Sequence, residues 1–371
     1  MQHRTAVGLA RELAPAVAVF AVSRVVVGVA LAIAPVVAPG YDRGDFFLDW
    51  DAAHYFTVAE DGYPPLHPPG GGYLAHSAFF PLLPWLARWL DVATPLSLRQ
   101  SAFVVANAAA LGAAVALWFL ARATLGGEAK ATRAVALVVL WPASLVLSMF
   151  YSDGLLLLLV SISLLALLRE RWVLAGVAAM LATASRPNAI AIAVACGWAA
   201  VVAARRTRSI RPFIAPALAP LGMLGYFTFL EIRLGDFFLW FKAEEEGWGG
   251  GFDFGNHFVT TLLDDGLRNP TARFDLLLSG VAGLVGLGLL VWAVRARLPT
   301  EQLLYAGVVL VLALGASFGA SIPRYVMNAF PIFLAPAARL PEGAAQAWLS
   351  VSAAALACLT LVVATTRVVT P

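Results

Sequence analysis

The sequence predicts an all-α, polytopic membrane protein of about eleven to twelve spans, and three observations predict it. Hydrophobic residues make up 61% of the 371 and charged residues only 13%, against about 25% charged in a soluble domain. That leaves too little polar surface to cover a water-facing sphere, and mean hydropathy is +0.82. Apolar stretches near the ~20 residues that a spanning helix needs recur along the whole chain. The basic residues, finally, collect in alternate loops. Together these exclude a cytosolic enzyme and a disordered chain. A disulfide-stapled secreted domain is excluded too, because only Cys196 and Cys358 are present and both sit inside apolar runs.

In chain order, long apolar stretches fall at 13–38, 99–121, 133–150, 212–231, 275–294, 302–320 and 345–366. Shorter ones fall at 79–92, 153–168, 171–185, 188–204 and 325–339. The first follows Arg4 and Arg11 like a signal peptide, but the segments behind it make it an uncleaved span. Orientation follows the Lys/Arg bias of short loops. With the N-terminus cytoplasmic and 79–92 re-entrant or surface-lying, the inner loops hold Arg122, Lys130, Arg133, Arg169, Arg171, Arg205, Arg206, Arg208, Arg211, Arg295, Arg297 and Arg339. If 79–92 crosses, the loops around Arg122–Arg133 and Arg169–Arg171 flip outward and the bias collapses. The active face is therefore expected on the non-cytoplasmic side of the cell membrane, in one integral membrane domain, 1–371, with two long outer segments, 39–98 and 232–274.

The first outer segment is rich in acids and histidines (Asp42, Asp45, Asp49, Asp51, His54, Glu60, Asp61, His67, His76). The second carries Glu244-Glu245-Glu246, Trp248 and Gly249-Gly250-Gly251. Long ordered loops tend to be functional. The densest constellation is Asp49-Trp50-Asp51 with His54, Tyr55 and Phe56. Its alternative is a solvated acidic loop, but Trp50, Tyr55, Phe56 and Tyr63 favour the membrane interface. Carboxylates beside apolar surface suit general-base work. Ser152-Asp153 reads as a helix N-cap or as part of a site. Arg186 interrupts an apolar stretch from 172 to 204, so it is a functional candidate, with snorkelling as the alternative. Arg324-Tyr325 carries the same two readings. Arg24, inside the first span, reads as a structural ion pair or a snorkelling side chain. No nucleotide-binding glycine fingerprint is present, and no nucleic acid is expected as a partner.

Trp50-Asp51-Ala52 with His54, Phe56, Ala59-Glu60 and Gly62-Tyr63, then His76 and Ala78-Phe79-Phe80-Pro81, resembles the PIG-V mannosyltransferase family. Pro142-Ala143-Ser144, Tyr151-Ser152-Asp153 and Ala182-Thr183-Ala184-Ser185-Arg186 with Asn188 follow in the family's order. Gly235-Asp236 leading to Ala243 and Trp248, and Arg324-Tyr325 before Phe330-Pro331, are similar to bacterial members. Asp153 departs from the Glu of many members, and Pro187 from a Ser of the eukaryotic ones. The resemblance implies a GT-C glycosyltransferase that takes mannose from polyprenyl-phosphate-mannose, without a cofactor or divalent metal, and passes it to a lipid-linked or glycan hydroxyl with inversion. Asp51 is the expected general base. Asp49, His54, Glu60 and His76 would shape the acceptor pocket, and Arg186 and Arg324 would hold the donor phosphate. Trp50, Ser152, Asp153, Asn188, Trp248 and Tyr325 complete the expected substrate-binding set. Another polyprenyl-phosphate sugar (glucose or arabinose) is an alternative. So is a flippase of a lipid-linked sugar, but its ionisable residues would sit near mid-membrane in broken helices, whereas here they cluster at one face.

Overall fold

A computed structural model describes residues 6–40, 43–63, 74–260, 267–268, 274–317, 319, 321–366 and 369. Arg4, Asp42 and His67 lie outside the described residues. Among those described the chain is helical, its one β feature an isolated bridge between Phe252 and Ala316. Six helices are long and apolar enough to cross a membrane: Glu12–Val37, Leu98–Leu125, Pro187–Thr207, Arg211–Leu234, Phe274–Arg295 and Glu342–Thr365. Glu128–Val139 and Pro142–Ser148 pass the same test together, bent by 84°. Asp153–Leu168, Trp172–Thr183 and Thr300–Leu314 are shorter apolar helices.

Two of the expected runs take other forms. Residues 79–92 become Leu82–Ala93, about 18 Å long at 1.5 Å per residue and short of the ~30 Å hydrocarbon core. Its Trp85 and Trp89 are exposed, and Arg88 pairs with Asp91. Residues 325–339 divide into Ile322–Asn328, a 3-10 turn Phe330–Phe333 and Leu334–Arg339, almost wholly buried. Non-helical backbone at membrane depth must be wrapped by protein. The same rule explains Arg24, which among the described residues makes hydrogen bonds to protein groups and no ion pair. Its Nη1 donates to the Ser144 carbonyl at 3.1 Å and to Ser148 Oγ at 2.5 Å, and its Nη2 to the Val139 carbonyl at 3.4 Å. It satisfies the carbonyl groups that the bend at Pro142 frees.

Small residues let the central helices approach. Ala102, Ala106, Ala110 and Ala114 recur every four positions along Leu98–Leu125 and are buried. A Cβ on Gly154 would come within 3.0 Å of the Ala110 backbone, the small-residue interface usual in membranes. Gly222 is tighter still: a Cβ there would meet the Met180 carbonyl oxygen at 1.9 Å and the Ala184 amide at 2.6 Å. This contact fixes the end of Trp172–Thr183, just before Arg186.

Charges separate toward two ends. Helices Asp153–Leu168 and Pro187–Thr207 begin at Asp153 and beside Arg186, and end near Arg169 and Arg206, more than ~24 Å away. At that far end Arg122 pairs with Glu12 and Glu128, Arg133 with Glu342, and Arg206 with Glu170. These are residues of the loops that the charge bias groups on the inner side.

Candidate functional site

Asp51 opens the helix Asp51–Asp61 directly after Trp50, whose φ of +58° is unusual for a large side chain. Such strain persists only where the surroundings over-determine it. The Trp50 amide donates to Asp49 Oδ1 at 3.0 Å, and the Asp51 amide donates to the Tyr151 hydroxyl at 3.1 Å. Asp51 is thereby aimed at the start of Ile322–Asn328, where Arg324 Nη1 donates to its Oδ2 at 2.7 Å. The Arg324 side chain is 6% exposed and that of Asp51 23%, so the carboxylate is the more accessible partner and the guanidinium is buried.

The second ion pair lies deeper. Arg186 Nη1 bonds Asp153 Oδ2, and Asn328 Nδ2 donates to Asp153 Oδ1 at 3.0 Å. Both members are buried, Asp153 at 0% exposure. The Tyr325 ring lies 5.7 Å from the Arg186 guanidinium carbon and 6.0 Å from that of Arg324, while Tyr151 faces Arg324 at 5.2 Å. Tyr325 thus stands between the two cations, as cation–π contact allows. The capping alternative fails: Ser152 makes no side-chain cap. Its Oγ instead shares a 2.7 Å hydrogen bond with the Tyr55 hydroxyl.

Buried polar groups are normally satisfied; here Arg324 Nε and both side-chain polar atoms of Asn188 are buried without a protein partner. An oxyanion with several acceptor atoms is what the Arg324 Nε and Asn188 Nδ2 donors can take up.

Beside the charged cluster lies an aromatic shelf. His54 stacks on Phe79 at 4.7 Å and meets His76 Nδ1-to-Nδ1 at 3.2 Å. Burial lowers the pKa of both, the His54 shift being partly countered by Asp51 and the His76 shift reinforced by His54. Trp248 stands edge-on to His54 at 5.8 Å and to Phe79 at 5.6 Å. The turn Leu74–Ala78 is stapled by Tyr226, whose hydroxyl donates to the Ser77 carbonyl at 2.8 Å, and by Trp240, whose Nε1 donates to the Ala78 carbonyl at 3.2 Å. The Leu82 amide donates to the Ala184 carbonyl at 3.3 Å, tying the first outer segment to the Arg186 turn.

No protein-family model and no curated protein matches the sequence. Two solved structures share the architecture. The ArnT of Cupriavidus metallidurans bound to undecaprenyl phosphate is 16% identical at a TM-score of 0.56, with 90% of this chain and 61% of that one covered. The apo oligosaccharyltransferase of Archaeoglobus fulgidus is 14% identical at 0.50, with 94% and 56% covered. This chain therefore spans about three fifths of the length of either. The helical membrane fold of this chain is thus the one that these two structures share.

Within this fold, Asp51, Ser152, Asp153, Arg186, Arg324 and Tyr325 form the charged cluster, and His54, His76 and Trp248 the shelf. Asp49 and Trp50 build the turn that aims Asp51, and Asn188 is buried two residues after Arg186. Glu60 is the exception: it is exposed and lies nine residues, about 13 Å, along the helix from Asp51. Three residues outside the expected set join the site. Tyr151 and Asn328 do so by the contacts above. Glu244 does so from the second outer segment, where the charges of Asp51, Arg186 and Arg324 act on it. A signal existed for Glu244, since it sits one turn from both Trp240 and Trp248. None existed for Asn328, an ordinary residue in an apolar run.

Proposed function

We propose that the chain is a glycosyltransferase that moves mannose, with inversion, from polyprenyl-phosphate-mannose to a hydroxyl of a lipid-linked or glycan acceptor. One observation carries the reading: two buried arginines share a tyrosine at one end of the bundle, beside a partly exposed carboxylate and with Arg324 Nε unpartnered. This arrangement supports a receptor for a lipid phosphate with a base beside it. The GT-C fold shared with a protein bound to undecaprenyl phosphate supports a polyprenyl-phosphate donor. The PIG-V resemblance supports mannose.

Arg186 and Arg324 stabilise the charge that gathers on phosphate as its bond to the anomeric carbon breaks. Asp51 accepts the hydroxyl proton as the new C–O bond forms on the opposite face. Asp153 and Asn328 keep Arg186 oriented, and the His54–Phe79–Trp248 shelf offers an aromatic face to a sugar. A monophosphate leaving group carries less charge than a diphosphate, so two guanidinium ions suffice and no divalent metal takes part. The loop charge bias supports a reaction on the non-cytoplasmic face of the cell membrane.

Purified protein incubated with a panel of polyprenyl-phosphate sugars and lipid acceptors, in excess chelator, tests this. Mannose transfer undiminished by chelator is expected. Transfer of glucose or arabinose alone overturns the sugar, loss of activity restored by manganese overturns metal independence, and lipid flipping without transfer overturns the chemistry. In intact cells, a cysteine at 245 should react with a membrane-impermeant thiol reagent and one at 206 should not; the reverse pattern overturns the orientation.

A further inference from the structure

We propose that Glu244 is a proton-accepting residue of the same site, which draws onto itself, through Asp51, the proton given up by the acceptor hydroxyl. The proposal rests on the transfer reaction above and adds the second outer segment to it. Glu244 lies on the helix Leu239–Trp248, four residues after Trp240 and four before Trp248. Side chains at that spacing share one helix face. Trp240 is hydrogen-bonded to the Ala78 carbonyl, and Trp248 packs on His54 and Phe79. The face that carries Glu244 is therefore clamped at both ends onto the first outer segment. Ala243 beside it is fully buried, while Glu245 and Glu246 are exposed. Of the three consecutive acids, only Glu244 is turned inward. Its backbone is held as well: the Gly250 amide donates to the Glu244 carbonyl at 2.9 Å, after a left-handed Gly249.

The charges that act on it are those of Asp51 on Asp51–Asp61, Arg186 ahead of Pro187 and Arg324 on Ile322–Asn328. His54 and His76 lie on the two elements that Trp248 and Trp240 clamp, Asp51–Asp61 and the turn Leu74–Ala78. Burial and then the Asp51 charge push Glu244 up to about 7, against the pull of Arg186 and Arg324. Both histidines are lowered by burial, so neither offers a competing cation near neutral pH.

Two carboxylates in one site with such different surroundings divide the work of an acid–base pair. Asp51 has its Oδ2 engaged by Arg324, and protonation would forfeit that charge-assisted bond, so Asp51 passes the proton on rather than keeping it. Glu244 is a carboxylate matched to neutral pH, where a proton acceptor is most effective. The balance is complete. The acceptor oxygen bonds to the anomeric carbon, and the bond from that carbon to the phosphate oxygen breaks with its electron pair going to the lipid phosphate. The proton moves from the hydroxyl to Asp51, then to Glu244, and from its partly buried side chain to water.

The test is the pH profile of kcat and of kcat/KM for the full chain in lipid nanodiscs, with polyprenyl-phosphate-mannose as donor. Wild type, Glu244→Gln and Glu244→Asp are compared, with donor binding and thermal unfolding measured on each. The wild type should gain activity as pH rises through about 7, because Glu244 must be ionised to accept. Glu244→Gln should lose about 10²-fold in kcat, keep its donor affinity, and lose the limb near 7. Glu244→Asp should restore a limb with reduced kcat, which separates proton handling from a folding defect. A folded, active Glu244→Gln variant with the wild-type profile overturns the proposal and leaves the transfer reading intact, as does an Asp variant no better than Gln. A wild-type protein that transfers no sugar from any polyprenyl phosphate overturns both.

Discussion

At the site end of the bundle, Arg186 and Arg324 are each 5% exposed and are matched to Asp153 and Asp51, which come from distant stretches of the chain. At the opposite end, the pair Arg206–Glu170 has side chains 62% and 48% exposed, and Glu342 opposite Arg133 is 71% exposed. The residue types are the same and the physics is not. Exposed pairs are screened and are worth about 0–1 kcal/mol. A buried pair costs several kcal/mol per ion in desolvation and barely repays it, so packing alone gives no reason to place two guanidinium ions there. The difference fits the proposed function, in which the buried charges at the site end meet a charged ligand, while the exposed pairs at the far end follow the loop charge bias.

The comparison is broken most severely at Asp51. Asp51→Asn nearly preserves shape but removes the proton acceptor, and transfer should fall by about 10²–10⁴ while donor binding, measured by titration, survives. A variant that keeps more than half its turnover removes Asp51 from the mechanism. Next comes Asp153→Ala, which strands Arg186 in the interior and should cost about 3–5 kcal/mol in a denaturation experiment. The double variant Asp153→Leu with Arg186→Met should recover most of that stability and bind no donor. If the double variant still binds donor, the buried pair serves folding alone.

Smaller, and more discriminating, is Arg186→Lys. The charge remains but the planar fork is lost, so donor affinity should weaken by about 10- to 100-fold, the worth of a charged hydrogen bond. A fully active lysine variant would reduce Arg186 to a charge of no particular geometry. At the far end, Glu170→Gln should shift stability by less than about 1 kcal/mol and leave transfer rates unchanged. A large loss of activity there would erase the distinction between the two ends.

Much of the molecule is legible in one dimension. Hydropathy and length give the helical membrane class, because a bilayer demands runs of apolar residues and full backbone pairing within each span. Loop charges group the residues that the fold brings together at each end, since positive loops sort to one side before any packing occurs. Arg186 stands out because a cation inside an apolar run needs a reason. Asp51, Arg324 and Trp248 are visible by residue type and setting, and Asp49, His54 and His76 by their density.

Tertiary structure decided the pairings. Asp51 meets Arg324 across 273 positions, and its amide meets Tyr151 across 100; no local pattern specifies such partners. Ser152-Asp153 has the composition of a helix cap, and packing sent both side chains elsewhere, to Tyr55 and to Arg186 with Asn328. Glu60 sits in the same motif as Asp51 and, by the pitch of its helix, points to solvent. Glu244 lies in a run of three identical acids, and only the clamp of Trp240 and Trp248 selects it. Apolar runs and loop charges act through sums over many residues, which a sequence displays directly. A site acts through a few atoms within about 3 Å, and their meeting depends on every helix that packs between them.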